Sequence, residues 1–309
     1  MKSHGLKPSC VTINSVINLY CHSGNLVEAE KWIKMMPEMG VSPNVVTYNI
    51  LLDGFGRNLQ FDKCFQLLEE MEGNGLIPNA ISYGSLVNQL CKDGRLLEAH
   101  VVFSDMISRG VLPTANIYNM LINGYCNQGK MQDAFKIFDT MSINNVVPTL
   151  FTYNALVNGL CKKGKVEEAE ELASKLKDKN LKLDAITYNC LISGYSMKGN
   201  IHKCLELYEE MKISGIKPTV STYHPLIVGC KKEGLTLVEK LINEIEGYIW
   251  YREMVANGFL PSVSVAHALL TGLKEEGKLQ EVQIMYSEMS VKGLDYSSAN
   301  DDLFVVGKV

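Results

Sequence analysis

The sequence lacks most features that mark the simpler function classes. It has no excess of one charge: 30 Lys and Arg stand against 34 Asp and Glu, a net −4, so charge alone announces no nucleic-acid partner. The 9 cysteines are an odd number with no Cys-x-x-Cys pair, which argues against a disulfide framework and fits a reducing interior. No run of about 18 apolar residues is present, so no membrane span is readable. His-Glu-x-x-His, the Gly-x-x-x-x-Gly-Lys-Ser/Thr loop and Gly-x-Ser-x-Gly are all missing, and the 6 histidines do not fall at metal spacing from cysteines. No catalytic residue, metal or cofactor is therefore expected. A hydrophobic content of 46% can fill a core, which excludes wholesale disorder, and 309 residues would ordinarily make about two globular domains.

Proline is scarce, at 9, yet it is placed like a ruler. Pro8, Pro43, Pro78, Pro113 and Pro148 are each 35 residues apart; Leu183 stands at the next mark, Pro218 resumes the series, and Pro261 follows after 43. Tyr48, Tyr83, Tyr118, Tyr153, Tyr188 and Tyr223 keep the same period, as do Cys91, Cys126 and Cys161 and the series Gly94, Gly129, Gly164, Gly199 and Gly234. A fixed period of this size is the signature of a repeat array. Counting from two residues after each proline gives eight units: 10–44, 45–79, 80–114, 115–149, 150–184, 185–219, 220–262 and 263–297. Seven have 35 residues and the seventh has 43. Residues 1–9 match the tail of a preceding unit, and 298–309 are an unfinished remainder, so a fragment of a longer array is expected.

Each unit predicts two helices. In the second unit Tyr48, Leu51, Leu52 and Phe55 share one helical face, and Cys64, Leu67, Leu68 and Met71 share another. A break separates them at Arg57-Asn58-Leu59, where sibling units carry Gly, and Gly75 and Pro78 end the second. One such hairpin cannot bury both faces alone. Stacked neighbours complete the core, so the expected fold is all-α, a right-handed α-solenoid with a concave face. Plain packing explains the Tyr, Cys and Met ladders.

The strings VVTYNILLDGFGR, ANIYNMLINGYCNQGKMQDAFKIFDTM and LFTYNALVNGLCKKGKVEEAEELASKL resemble pentatricopeptide repeats of the pure 35-residue (P) class, across 10–297. The Trp and Leu-Gly pattern of the related tetratricopeptide unit is absent. The resemblance implies a plant organellar RNA-binding protein, mitochondrial before chloroplast. Each repeat would read one base of single-stranded RNA, with N-terminal units toward the RNA 5′ end. Its consequences would lie in RNA processing, stabilisation or translation. The His-x-Glu and Pro-Cys-x-x-Cys signature of zinc deaminases is missing, so no editing tail and no enzyme is expected. Other organellar RNA-processing proteins are possible partners. A protein-interaction scaffold is the alternative, since α-solenoids also bind peptides in their grooves.

By that resemblance the fifth and last residues of each unit choose the base. The pairs are Asn14 with Asn44, Asn49 with Asn79, Gly84 with Thr114, Asn119 with Thr149, Asn154 with Asp184, Asn189 with Thr219, His224 with Ser262, and His267 with Ser297. Asn with Asp implies U, and the other Asn pairs imply pyrimidine, giving an expected site 5′-YYNYUYNN-3′. An apolar second residue sandwiches the base in five units, through Val11, Val46, Ile81, Phe151 and Ile186. Asn116, Ser221 and Ser264 depart from this, so the last two units are expected to read weakly. Position thirteen implies phosphate contacts from Arg57, Lys92, Lys162 and Lys232. The first fourteen positions of the units together carry 8 Lys or Arg and 5 Asp or Glu, a net +3, leaving −7 for the rest.

The seventh unit has a surplus of eight residues between Gly234 and Met254. Leu237, Val238, Leu241, Ile242 and Ile245 form a helical stripe that Gly247 is expected to interrupt. The surplus either lengthens the second helix or bulges around Glu246-Gly247. Trp250 and Tyr251 then either cover a neighbour or form an exposed patch.

Overall fold

The computed structural model describes residues 8–178, 181–229, 237–261, 263–275 and 277–291. Those residues are all-α and follow the repeat frame. In chain order the hairpins are α1 (Cys10–His22) with α2 (Leu26–Met35), and α3 (Val45–Arg57) with α4 (Phe61–Gly73). Next come α5 (Ala80–Lys92) with α6 (Leu96–Ser108), and α7 (Ala115–Asn127) with α8 (Met131–Ile143). Then follow α9 (Leu150–Lys162) with α10 (Val166–Asp178), and α11 (Ala185–Lys198) with α12 (Ile201–Ile213). The last are α13 (Val220–Gly229) with α14 (Leu237–Ala256), and α15 (Val263–Glu275) with α16 (Leu279–Val291). The chain divides into two compact units, residues 1–159 and 160–309. Within each, first helices pack on their own second helix and on the first helix of the next hairpin, as α3 does with α4 and α5 in one unit and α11 with α12 and α13 in the other.

Local chemistry sets the helix ends. Asn44 caps α3 and Asn79 caps α5, each side chain accepting the backbone N–H three residues on, and each makes a capping box with Thr47 or Ser82. The turns between helices need a left-handed residue, supplied by Gly24, Gly94, Gly129, Gly164 and Gly199. Leu59 fills that place in the second hairpin at φ 58, the break already visible in the sequence. A left-handed non-glycine residue there costs about 1–2 kcal/mol.

The tyrosine ladder ties the two helices of a hairpin together. Tyr48, Tyr83, Tyr118, Tyr188 and Tyr223 bury their rings almost fully. Their hydroxyls reach polar groups on or just after the second helix. Tyr48 donates to Glu70 (3.2 Å), Tyr83 to Asp105 (3.2 Å) and Tyr188 to Glu210 (3.1 Å), while Asn144 Nδ2 donates to Tyr118 (2.7 Å). Burial, reinforced by Asp105, pushes the Tyr83 hydroxyl up to about 12, and burial with Glu70 raises Tyr48. Burial also pushes the Cys64 and Cys91 thiols up to about 12. The folded chain thus holds these protons more tightly than the unfolded one. Their contribution is complete below the unfolded values, about 8.5 for Cys and 10 for Tyr. It is lost as pH climbs from there through about 12. Denaturant midpoints followed by circular dichroism are therefore expected to be flat near pH 8 and to fall steadily between pH 9 and 12. A midpoint that holds or rises across that range would contradict the assignment.

Neighbouring first helices approach closely because a small residue faces a larger one. A Cβ added to Gly54 would lie 2.5 Å from Cys21 Sγ and 2.6 Å from its Cβ. Gly124 faces Cys91, Gly159 faces Cys126 and Gly194 faces Cys161 in the same way, at 2.8–3.2 Å. The cysteines are the tenth residue's partners, sitting twelfth in the preceding unit. At one junction the sizes are exchanged: the twelfth residue is Gly56 and the tenth of the next unit is Gln89, whose Cγ would meet an added Cβ at 2.9 Å. One side stays a glycine while the bulk changes sides, as close packing demands.

In the seventh unit the structure corrects one sequence expectation. Gly247 does not interrupt the stripe; α14 runs unbroken through it for 20 residues. The intrinsic penalty of a mid-helix Gly is only about 1 kcal/mol, which tertiary packing overrides. Of the two arrangements left open, the second helix is lengthened. Trp250 and Tyr251 are buried, not an exposed patch. The Trp250 ring packs edge-on against Tyr208 at 4.3 Å, and Tyr251 donates to Glu288 (3.1 Å).

Candidate nucleic-acid interface

The first turns of the first helices carry a three-part register. The second residue of each unit is exposed although apolar: Val11, Val46, Ile81, Phe151 and Ile186 are between 55% and 75% exposed. Such a series stays in water without covering any core, so it is available to a planar partner. Asn116 and Ser221 at the same slot are exposed and polar. Three residues on, the fifth side chain is sunk between neighbouring first helices. Asn14, Asn119 and Asn154 are buried, and Asn49 and Asn189 are half-buried. Gly84 offers no side chain there, and His224 is exposed. The unit's last residue sits beside this pair as the N-cap of the following first helix, a place held by Asn44, Asn79, Thr114 and Asp184. Thr149 and Thr219 donate their backbone N–H to Thr152 and Thr222 (3.0 and 2.9 Å). Ser262, Ser297 and Lys232, and the side chains of His267 and Ser264, lie outside the described residues.

The buried amides are held by the next repeat. Thr47 Oγ1 donates to Asn14 Oδ1 (2.8 Å) and Ser82 Oγ to Asn49 Oδ1 (2.6 Å). Thr152 Oγ1 donates to Asn119 Oδ1 (2.7 Å) and Thr222 Oγ1 to Asn189 Oδ1 (2.6 Å). These lengths suit O–H···O bonds better than N–H···O bonds, which centre near about 2.9–3.0 Å. The other end of Asn189 donates from Nδ2 to Thr219 Oγ1 (3.2 Å), fixing the same amide orientation independently. The hydroxyl belongs to the third residue of the unit, which no motif in the sequence singles out. Its role across the junction depends on a partner 33 residues earlier.

The last residue of the unit has one face committed as well. Asn44 Oδ1 accepts the Thr47 N–H (3.1 Å), which leaves the amide with donors to present. Asp184 Oδ1 accepts the Thr187 N–H (2.9 Å), but a carboxylate has acceptors only. The same capping geometry therefore displays opposite hydrogen-bonding character in the first and fifth units.

The basic residues at position thirteen close the first helices. Lys92 and Lys162 are exposed in the last turns of α5 and α9, roughly 12 Å along the axis from the fifth residues. Arg57, expected as a phosphate contact, is engaged by Asp53 one turn earlier, so part of its charge is already answered. The second helices instead carry ion pairs between neighbours, such as Lys63 with Glu30 (2.7 Å) and Lys203 with Glu170 (3.1 Å). Among the described residues no group of three or more His, Cys, Asp or Glu is placed to hold a metal ion. No described helix is long and apolar enough to cross a membrane.

The match to known sequences decides the family. A sequence model described as the PPR repeat family matches residues 8–57, 44–92, 113–162, 148–194 and 183–232, and a second, the PPR repeat, matches 81–111. The chain belongs to the pentatricopeptide repeat family. No curated protein matches it. Among solved structures, it is similar to the pentatricopeptide repeat protein PPR10 in complex with an 18-nt psaJ RNA element, at 23% identity and a TM-score of 0.51. That match covers 94% of this chain and 50% of the other. The structure of PPR10 from maize gives 22% identity and a TM-score of 0.51, over 96% of this chain and 55% of that one. These likenesses concern the fold of the pentatricopeptide array. The chain spans about half the length of the proteins it matches.

Proposed function

We propose that this pentatricopeptide array binds single-stranded RNA, reading one base per repeat. The observation that carries this reading is the register itself: an exposed apolar second residue, a buried and oriented fifth amide, and a capping last residue, repeated every 35 residues. Base–side-chain stacking contributes about 1–3 kcal/mol per base without regard to sequence, which suits the apolar slot. Choice then falls to the two polar slots. An Asn cap shows donors, which complement the N3 acceptor of C; the Asp184 carboxylate shows acceptors, which complement the N3–H of U. The chain's preferred site is thus pyrimidine-biased, 5′-YYNYUYNN-3′, and its setting is organellar RNA processing, stabilisation or translation. Binding is passive and needs no catalytic group.

The test is fluorescence anisotropy with an octanucleotide of that pattern and its purine-swapped partner, from 50 to 200 mM salt. The pyrimidine strand should bind at least tenfold tighter. With about three phosphate contacts the affinity should fall roughly twentyfold over that salt range. Equal binding of the two strands would sink base reading, and an affinity indifferent to salt would favour a peptide partner.

A further inference from the structure

The hydroxyl at the third position of each repeat follows the amide of the repeat before it. Seven junctions can be compared in the sequence. Asn14, Asn49, Asn119, Asn154 and Asn189 are followed, 33 residues on, by Thr47, Ser82, Thr152, Thr187 and Thr222. The two junctions without Asn lose the hydroxyl together with it: Gly84 is followed by Ile117 at the same spacing, and His224 by Val265, the third residue of the next unit, 41 residues on across the longer seventh unit. A requirement for capping alone does not produce this pattern. Thr114 starts α7 with no side-chain cap bond, and it tolerates Ile117 at the third place of its helix. Capping also concerns the hydroxyl's own repeat and is blind to the residue 33 before it.

We infer that Thr47, Ser82, Thr152 and Thr222 are positioning residues for base choice: each fixes which end of the preceding repeat's Asn amide faces the RNA. This rests on the RNA reading proposed above. Each hydroxyl accepts the N–H of its own helix cap, as from Asn44 (3.1 Å), Asn79 (3.1 Å), Thr149 (3.0 Å) and Thr219 (2.9 Å). Its single proton is then directed to the neighbouring amide oxygen at 2.6–2.8 Å, the shortest contact it makes in each case. A carbonyl so engaged cannot turn toward the base. The amide is left with Nδ2 donors, the complement of the O2 carbonyl that C and U share. Without the hydroxyl, an amide such as Asn119 loses that anchor and can flip end for end, so that donor and acceptor become interchangeable at that base, while Asn189 keeps its second bond to Thr219. The base affected lies one nucleotide away from the repeat that carries the hydroxyl.

That offset separates the inference from a structural role. Thr152 belongs to the fifth repeat but holds Asn119 of the fourth. In Thr152→Val, the preference for pyrimidine over purine at the fourth nucleotide should drop about tenfold, while the fifth keeps its preference. Thr152→Ser should restore the fourth. Thr47→Val should repeat the result at the first nucleotide, should Thr152→Val melt early. The converse gain is immune to destabilisation. A Cβ at Gly84 meets Ile117 only at ordinary contact, 3.5 Å, so the backbone there admits a side chain, and trimming Ile117 to Thr makes room for its amide. Gly84→Asn with Ile117→Thr should confer pyrimidine preference on the third nucleotide, and Gly84→Asn alone should not. If the wild type discriminates and the loss in Thr152→Val lands on the fifth nucleotide, spreads evenly or does not occur, the positioning role is overturned and base reading stands. If the wild type discriminates nowhere, both fall.

Discussion

Gly54→Ala is expected to destabilise the first two hairpins by about 1–2 kcal/mol, reversing the usual sign of this exchange. Within an ordinary helix, Gly to Ala stabilises by roughly 0.5–1 kcal/mol through backbone entropy. Here the new methyl would sit 2.6 Å from the Cβ of Cys21, an atom that no rotamer change can move. The helices α1 and α3 must separate or shift, and overpacking of this kind costs about 1–3 kcal/mol. Repeat arrays are held together by nearest-neighbour interfaces, so the effect should concentrate where α1 meets α3. Thermal melts give the total, and hydrogen exchange shows whether protection is lost chiefly in those helices. The companion double variant, Gly54→Ala with Cys21→Gly, leaves the added carbon 3.5 Å from the Cys21 Cα and should recover much of the loss. It reproduces the exchange of sizes that the chain already uses at Gly56 and Gln89. A melting temperature that rises in the single variant would show that the close approach is not a constraint.

The largest expected effect on binding comes from Asn14→Ala, Asn49→Ala, Asn119→Ala and Asn189→Ala combined. Each removes an oriented pair of donors at one base, worth roughly tenfold in discrimination. The four sites lie in separate repeats, and well-separated contributions add to a first approximation. The ratio of affinities for a pyrimidine strand over its purine-swapped partner should therefore fall by about four orders of magnitude. Stacking on Val11, Val46, Ile81, Phe151 and Ile186 would remain, so residual binding should be indifferent to sequence and still sensitive to salt. A variant that still prefers pyrimidines by the wild-type margin would move base choice away from the fifth residues.

Much of this was legible before any coordinates. The period, the paired helices and the glycine turns follow from spacing, and even the left-handed Leu59 is marked by the glycines of its siblings. The slots for base contact came from family resemblance, and the structure adds how their side chains are held. What stayed hidden concerns partners far apart in sequence. Nothing local to Thr152 says that its proton goes to Asn119; only comparison across junctions shows hydroxyl and amide arriving and leaving together. Counting from the unit start places Arg57 at a phosphate slot, and such counting does not show the ion pair it makes with Asp53 one turn earlier. Gly247 looked like a break because propensity is a local quantity, while Trp250 and Tyr251 anchor α14 through neighbouring hairpins.

The junction pairs have a consequence for anyone recombining such arrays. A cassette cut from proline to proline separates each fifth amide from its hydroxyl, and each twelfth residue from the tenth residue it fits. Spliced into a foreign array, it would bring its reading side chain without the group that aims it. The portable cassette is staggered: cut between the third and fifth residues it keeps every amide with its hydroxyl, cut between the tenth and twelfth it keeps every packing pair, and no single phase keeps both. Libraries cut at the first phase should retain specificity at their seams and those cut at the second should retain melting temperature, where libraries built on the proline phase would lose both.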